Sequence, residues 1–452
     1  MNIKSIFAVT MATSALLAMA SETPEVSNVI MSQVPDGRKV TINYKLNNAP
    51  NGAVVTLDVV TNRTGAATNN DADWVSIGGA AVCNAKGAVW RKVTSADADG
   101  NGKYTITWRP DQSWEGHKVE LANGGARAVV TAWALDNTPD YMVVDISAGA
   151  QPNTQRYYPS VEFLPGGLLG NPAYRTTSIV MRKIMAKDVK WTMGSTALET
   201  DRNSAREATH PVTLTNNYYI GVFEVTQDQW AMIKGSSPAK FVNPACRAMR
   251  PVENVSYNAI RHSSDNSDNA TYYYPAAPNP ASFLGQLRTK TGIDFDLPSE
   301  AQWEFAARAG NGSTKWGDGT AILNTDEDAN LTLHGRYRYN GGLVNGTGNP
   351  NYNVVGVENG TAIVGSYEPN AWGVYDMAGN VWELCLDWHN ADNSSWNGAV
   401  ATTPDENGKR IMRSGGFDCV AGRCRPAFRF PVSQDDPNLS YGFRLACTAG
   451  LQ

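Results

Sequence analysis

The sequence predicts an α+β chain in two parts. An antiparallel β-sandwich-like domain occupies residues 21–148, and a second domain with little regular secondary structure occupies residues 178–450. Three observations carry this reading. Residues 21–148 hold short runs of alternating apolar and polar residues, separated by Asn-, Gly- and Asp-rich turns. Beyond residue 178 only three segments carry helix caps followed by apolar positions at helical spacing. The chain also holds 41 glycines and 13 tryptophans, a pairing suited to long irregular segments anchored by buried aromatic rings.

In chain order, the first 20 residues have the pattern of a signal peptide. Lys4 supplies positive charge, Ile6 to Leu17 is apolar, and Ala18-Met19-Ala20 is a small-x-small cleavage site. The expected location is therefore secreted or periplasmic, with cleavage near Ala20. The first cysteine is Cys83, so no lipid anchor is expected at the cleavage point, and no later segment is long and apolar enough to span a bilayer. The expected strands include Lys39–Leu46, Ala53–Val60, Lys103–Trp108, Ala128–Trp133 and Tyr141–Ile146. The Asp97–Gly102 loop is acidic enough to invite calcium, but a solvated turn is the simpler reading. Residues 149–177, rich in Gly and Pro, are expected to connect the two domains.

The second domain opens on a strand near Ser178. Its first helix is signalled by the capping box Thr226-Gln-Asp-Gln229, with Trp230 and Ile233 before Gly235. A second is expected to start at Asn279-Pro280 and run through Phe283, Leu284 and Leu287 to Gly292. The third starts at the capping box Ser299-Glu-Ala-Gln302 and carries Trp303, Ala306 and Ala307 before Gly310.

Composition excludes some functions. Charged residues make up 18% of the chain and the net charge is -5, with no basic run, so there is no electrostatic drive toward nucleic acid or an anionic membrane. Five histidines, none in a His-Glu-x-x-His pattern, argue against a histidine-built metal site. The six cysteines contain no Cys-x-x-Cys pair, and in an exported chain disulfides are the default expectation.

Seven segments then occur in a telling order. They are Met193-Gly-Ser195 with His210-Pro-Val-Thr-Leu214, Tyr219-Ile-Gly-Val-Phe-Glu-Val-Thr226, and Arg250-Pro-Val-Glu-Asn-Val-Ser256. There follow Phe295-Asp-Leu-Pro-Ser-Glu-Ala-Gln-Trp-Glu-Phe-Ala-Ala-Arg308, Gly373-Val-Tyr-Asp-Met-Ala-Gly-Asn-Val-Trp-Glu383, Arg413-Ser-Gly-Gly-Phe417 and Tyr441-Gly-Phe-Arg444. Together they resemble the formylglycine-generating-enzyme, or sulfatase-modifying-factor, family. The resemblance implies a fold related to that of C-type lectins and says nothing of residues 21–150.

Asn380 and Glu383 lie three apart around a tryptophan, so oxygen ligands from one turn, with the Val381 carbonyl, are placed to meet a hard cation. The resemblance implies structural calcium at this segment and a second calcium site beginning at Asn330 with the Leu331 carbonyl; the alternative is a hydrogen-bonded turn without metal. Glu300 and Glu304, four apart on the third helix, are expected to be solvated or to brace the core rather than to work as an acid–base pair.

The resemblance also implies an oxidase that converts a cysteine of a sulfatase peptide to formylglycine with dioxygen and copper(I) held by two cysteines spaced Cys-x-x-x-x-Cys. Soft thiolates suit copper(I), and Cys419-Val-Ala-Gly-Arg-Cys424 has that spacing. The surroundings depart from the pattern: the interval is Val-Ala-Gly-Arg, and Arg425-Pro426 follow where the enzymes carry polar and aromatic residues. Counted back from Arg429, the segment resembles the Cys-Arg-Ser-Ala-x-Arg of members not thought to make formylglycine. Two readings stand open. One is a catalytic copper pair acting on a sulfatase or similar protein. The other is a set of structural cysteines, with Cys385 available to bond Cys424, in a lectin-like module that binds a glycan or a protein.

Overall fold

The structure, a computed structural model, describes residues 23–451 apart from 35–36, 63–69, 119–123, 263–268, 341–359, 391–395 and 405–407; the expected signal peptide lies outside the described residues. Helices and sheets are mixed along the chain, as expected.

The first part is antiparallel throughout. One sheet orders Glu25–Gln33, Val40–Asn47, Lys103–Trp108 and Lys86–Gly87; the other centres on Ala53–Asn62, which pairs with Trp74–Ser76, Arg91–Val93 and Ala126–Trp133. Alternation sets the burial. Val40, Ile42 and Tyr44 from the first sheet meet Val55, Leu57 and Val59 from the second in one apolar cluster. The Asp97–Gly102 loop folds on itself, with Asp99 Oδ1 accepting the Asn101 and Lys103 N–H groups at 2.9 and 3.0 Å.

The boundary between the parts differs from expectation. Tyr141–Asp145 pairs not with the first two sheets but within a five-stranded sheet ordered Arg156–Tyr158, Tyr141–Asp145, Ser178–Ile184, Tyr218–Gly221 and Ala446–Thr448. Residues 149–177 therefore contain a sheet strand, and Tyr157, Leu164 and Tyr174 from this stretch are buried. Tyr158, Leu164 and Tyr174 share a cluster with Val55 and Tyr44, so the supposed connection is packed into both parts. Local sequence showed the Gly-Pro turns but not the distant partners that order the residues between them.

The capping boxes at Thr226 and Ser299 form as read, starting the helices Gln227–Lys234 and Glu300–Arg308. The middle helix starts later than expected, at Phe283. Asn279 Oδ1 is used on the Ala281 N–H, and Ser282 supplies the cap by accepting from Gly285 N at 3.1 Å. A fourth sheet, ordered Phe430–Ser433, Lys409–Arg413, Trp382–Trp388 and Tyr441–Gly442, carries the segments that matter below. Among the described residues, no helix is long and apolar enough to cross a membrane.

The second part buries unusually many charges, including Arg261, Arg410, Arg413, Arg425 and Arg444. Two buried acids give a pH signature. Burial pushes Asp387 and Glu253 each up to about 7; for Asp387 the nearby Glu300 charge adds to this. An acid raised on folding holds its proton longest in the native state, so its contribution is complete below the unfolded value near 4 and is lost as pH rises through about 7. His262, pushed down to about 3 by burial and then by Arg410 and Arg261, works in the opposite sense over the same window. A difference measurement isolates one group. Urea unfolding of Asp387→Asn beside the wild type from pH 4 to pH 8 should move the stability difference toward the variant. The expected slope is up to about 1.4 kcal/mol per pH unit, and it should level off above about pH 7. A flat difference would show that Asp387 does not titrate on unfolding.

Candidate functional site

The cysteine pair sits in a loop that leaves the strand Lys409–Arg413 through Ser414 and Gly415, at φ +79° and +73°. At Gly415 the absent side chain matters in two ways. The backbone is left-handed, and a Cβ there would lie 2.7 Å from Cys424 Sγ. The loop is then pinned from several directions. Phe417 N donates to Asn380 O at 2.8 Å, Arg338 N to Cys419 O at 2.9 Å, Ala421 N to Asp326 O at 3.1 Å and Gly422 N to Thr325 O at 2.7 Å.

A short 3-10 turn, Ala421–Cys424, brings the second cysteine under the glycine. Behind it, the Arg425 guanidinium is fully buried. It pairs with Glu199 and with Glu207, whose two oxygens it reaches at 3.0 Å each, while its Nε donates to Gly422 O at 2.9 Å.

Both thiols are enclosed: Cys419 is 5% exposed and Cys424 0%. Their nearest polar contacts are weak, Cys419 Sγ to Asp418 Oδ1 at 3.6 Å and Cys424 Sγ to Val420 O at 3.7 Å. Burial, with the Asp418 charge adding, pushes Cys419 up to about 12. Burial pushes Cys424 well above the ordinary thiol range, with Cys419 and then Asp418 adding. A nucleophilic or copper-binding cysteine needs the opposite, a stabilised thiolate within reach of solvent. The spacing matches copper(I), but the loop encloses both thiols, with Gly415 lying over Cys424, and leaves no open approach for the ion or a substrate thiol.

The disulfide expectation also needs correction. All six cysteines are free, and Cys385 is not bonded to Cys424. Cys385 lies in the strand Trp382–Trp388 and packs with Ile184, Met193, Trp303 and Ile411. Cys424 packs in a different cluster, with Leu384, Trp382 and Phe443. Adjacent positions on a strand face opposite ways, which sends Leu384 toward Cys424 and Cys385 away from it.

The calcium residues are placed as follows. Asn380, in left-handed backbone at φ +63°, accepts from Ala362 N through Oδ1 at 2.8 Å and donates Nδ2 to Glu224 Oε2 at 2.6 Å. Val381 N donates to Glu224 Oε1 at 3.2 Å. Glu383 is held by Arg444 on both oxygens, at 2.6 Å each, and by Trp303 Nε1 at 2.7 Å. At the other segment, Asn330 Nδ2 donates to Ala321 O at 2.7 Å, and the Leu331 carbonyl accepts from Gly335 N at 3.0 Å. The two segments do meet, because Asn380 N donates to Arg336 O at 2.7 Å. The side-chain oxygens assigned to calcium at Asn380 and Glu383 each accept from protein donors. Among the described residues, no three His, Cys, Asp or Glu side chains are grouped to hold a metal ion.

Glu300 and Glu304 are buried and braced, not solvated. Burial opposes their charge, but Arg429 and Arg413 on Glu300, and Arg308 and Arg413 on Glu304, hold both below the usual carboxylate range. Two polar residues escaped the sequence reading. Glu224, of the Glu-Val-Thr segment, is pushed well above its usual range by burial, with the Asp376 and Glu383 charges adding. Asp376, raised to about 6 by burial, keeps one oxygen on Gly365 N and the other without a protein partner. Its place four residues before Asn380 in a polar turn was the available signal. Asp376 lines a cavity of about 20 Å3 with Trp316, His334 and Pro426, too small to admit a peptide side chain.

Comparison with known proteins places the chain. A family model described as "Sulfatase-modifying factor enzyme 1-like domain" matches residues 180–449. The chain is 32% identical over 216 residues to "Chaperone protein LppX" of Paenibacillus barcinonensis, covering 45% of this chain and 70% of that protein. It is 36% identical over 166 residues to the formylglycine-generating enzyme of Thermomonospora curvata, covering 33% of this chain and 48% of the enzyme. The chain thus spans about half the length of that enzyme. Solved structures similar to it include Treponema denticola variable protein 1 (25% identity, TM-score 0.43, 60% of this chain and 96% of that one) and PvdO from Pseudomonas aeruginosa (21% identity, TM-score 0.43, 60% and 94%).

Proposed function

We propose that this chain, which belongs to the sulfatase-modifying factor enzyme 1-like family, uses the family scaffold as an exported module that binds a protein partner, without copper-dependent cysteine oxidation. The observation that carries the reading is the enclosure of Cys424. It is wholly buried, lies directly beneath Gly415 and is locked from behind by Arg425. A substrate thiol would have to displace the loop to reach it. The relative named a chaperone protein, matched over 70% of its length, supports a member that handles proteins. Export rests on the Lys4 and Ile6–Leu17 pattern at the N-terminus. The free state of both cysteines and their five-residue spacing favour the oxidase as the second reading.

The two readings separate on thiol chemistry. In the folded protein, iodoacetamide followed by peptide mass spectrometry should leave Cys419 and Cys424 unmodified, with both reacting only in denaturant. Copper(I) titration should show no stoichiometric site, and a cysteine-containing sulfatase peptide should be returned unchanged. Prompt alkylation of both cysteines, together with a one-to-one copper(I) complex, would overturn the proposal in favour of the oxidase.

A further inference from the structure

A cavity of about 630 Å3 opens at one edge of the five-stranded sheet, walled by Tyr218 and the paired strand Ala446–Thr448, the start of the helix Glu300–Arg308 and residues 397–400. It shares no residue with the cysteine loop. We infer that this cavity is a binding site for a neutral carbohydrate of two or three sugar units.

Size is the first argument, since the volume lies in the range of small-ligand sites, ~300–1,000 Å3. The second is the state of the polar groups. Asn217 has its amide oxygen fixed by the Ala186 and Lys187 N–H groups, both at 3.0 Å. Asn397 has its amide oxygen on Ala399 N at 3.1 Å. Each amide is therefore oriented by the backbone, with its NH2 end left to donate elsewhere. Among the described residues, the hydroxyls of Thr213, Tyr274 and Thr448 in the same wall bond to no protein group. Such a set of oriented donors and two-way hydroxyls matches a ligand rich in hydroxyl groups.

Charge is the third argument. The cavity's Asp296 is committed to Arg261 at 3.0 Å and to Arg288 at 3.1 Å, and Arg288 also reaches Asp294 at 3.5 Å. Two acids against two bases leave no net field to attract a phosphate or a cation. The wall also carries apolar surface from Leu214, Leu386, Val400 and the Tyr274 ring, against which the C–H faces of a sugar ring pack. A peptide strand is disfavoured because the sheet edge is already taken: Ala446 exchanges both backbone hydrogen bonds with Asp296, at 2.8 Å each.

The test uses the intact chain and a glycan array carrying neutral, sialylated and sulfated oligosaccharides, with hits measured by calorimetry. Neutral glycans should bind, and Asn397→Asp, which keeps the oxygen anchor but removes the donating end, should weaken them about tenfold, as should Thr448→Val. Both variants preserve side-chain shape, and unchanged melting curves would confirm that they fold. The inference is overturned if no neutral glycan binds, if only charged glycans bind, or if both variants bind as tightly as the wild type. Because the cavity is separate from the cysteine loop, its failure leaves the proposed function as it stands.

Discussion

Replacing Arg413 with methionine should cost the protein about 3–5 kcal/mol, the amount typical of breaking a buried ion pair from one side. Arg413 is fully buried over the Trp303 ring. It donates to Glu300 at 2.9 Å, to Glu304, and to the Pro426 carbonyl at 2.6 Å. Both glutamates are inside the protein, so removing the guanidinium strands negative charge that water cannot reach. Arg429 still serves Glu300, and Arg308 still serves Glu304, which keeps the loss from being larger. The sign with pH follows from the carboxylates. Held below their usual range when folded, they contribute stability above their unfolded value near 4, and that contribution is lost as pH falls through the folded values. The deficit of Arg413→Met should therefore be largest near neutral pH and shrink in acid. Urea unfolding at pH 7 and pH 4 measures this directly. A variant within about 1 kcal/mol of the wild type at pH 7 would mean that this network does not brace the helix Glu300–Arg308.

The same network shows what the sequence could and could not reveal. The cap of that helix is written within four residues, Ser299 to Gln302, and was read correctly because both partners are local. The partners of Glu300 lie 113 and 129 residues downstream, so the spacing of Glu300 and Glu304 fixed their shared helix face but not the cations that meet it. Glu383 is a parallel case. Its three-residue offset from Asn380 suggested convergent ligands, yet Arg444, 61 residues on, takes both of its oxygens. For Tyr141–Asp145 the alternation announced a strand, but only its pairing with Ser178–Ile184 assigned it to the second part. The cysteine spacing was legible too. Its enclosure was not, since that depends on Gly415 lying over Cys424 and on Arg425 reaching back to Glu199 and Glu207.

That last dependence makes Arg425 the residue whose loss should change the cysteine loop most. Its guanidinium holds the end of the loop to segment 199–207 through Glu199, Glu207 and the Asp201 carbonyl, the last at 2.9 Å. Glu207 is tied in further by Ser195 at 2.7 Å, and Glu199 by Ser313 at 2.5 Å. Arg425→Met would leave both buried glutamates without their cation, a loss of about 3–5 kcal/mol. The damage should be local first, because the segments that part are the loop and residues 199–207. Cys424 should then react with iodoacetamide at least about tenfold faster than in the wild type. Cys385 is buried in a separate cluster behind the strand Trp382–Trp388, so it should stay protected in the same molecules and serve as the internal control. Adding Glu207→Gln should recover part of the stability by removing one of the stranded charges, and it should slow the labelling of Cys424 again. If Cys424 and Cys385 instead become reactive together, the variant has unfolded globally and Arg425 is no loop clamp. If Cys424 alone opens and the variant then takes up copper(I), the pair has kept its capacity for the metal, and the Arg425 clamp is what withholds it in the native protein.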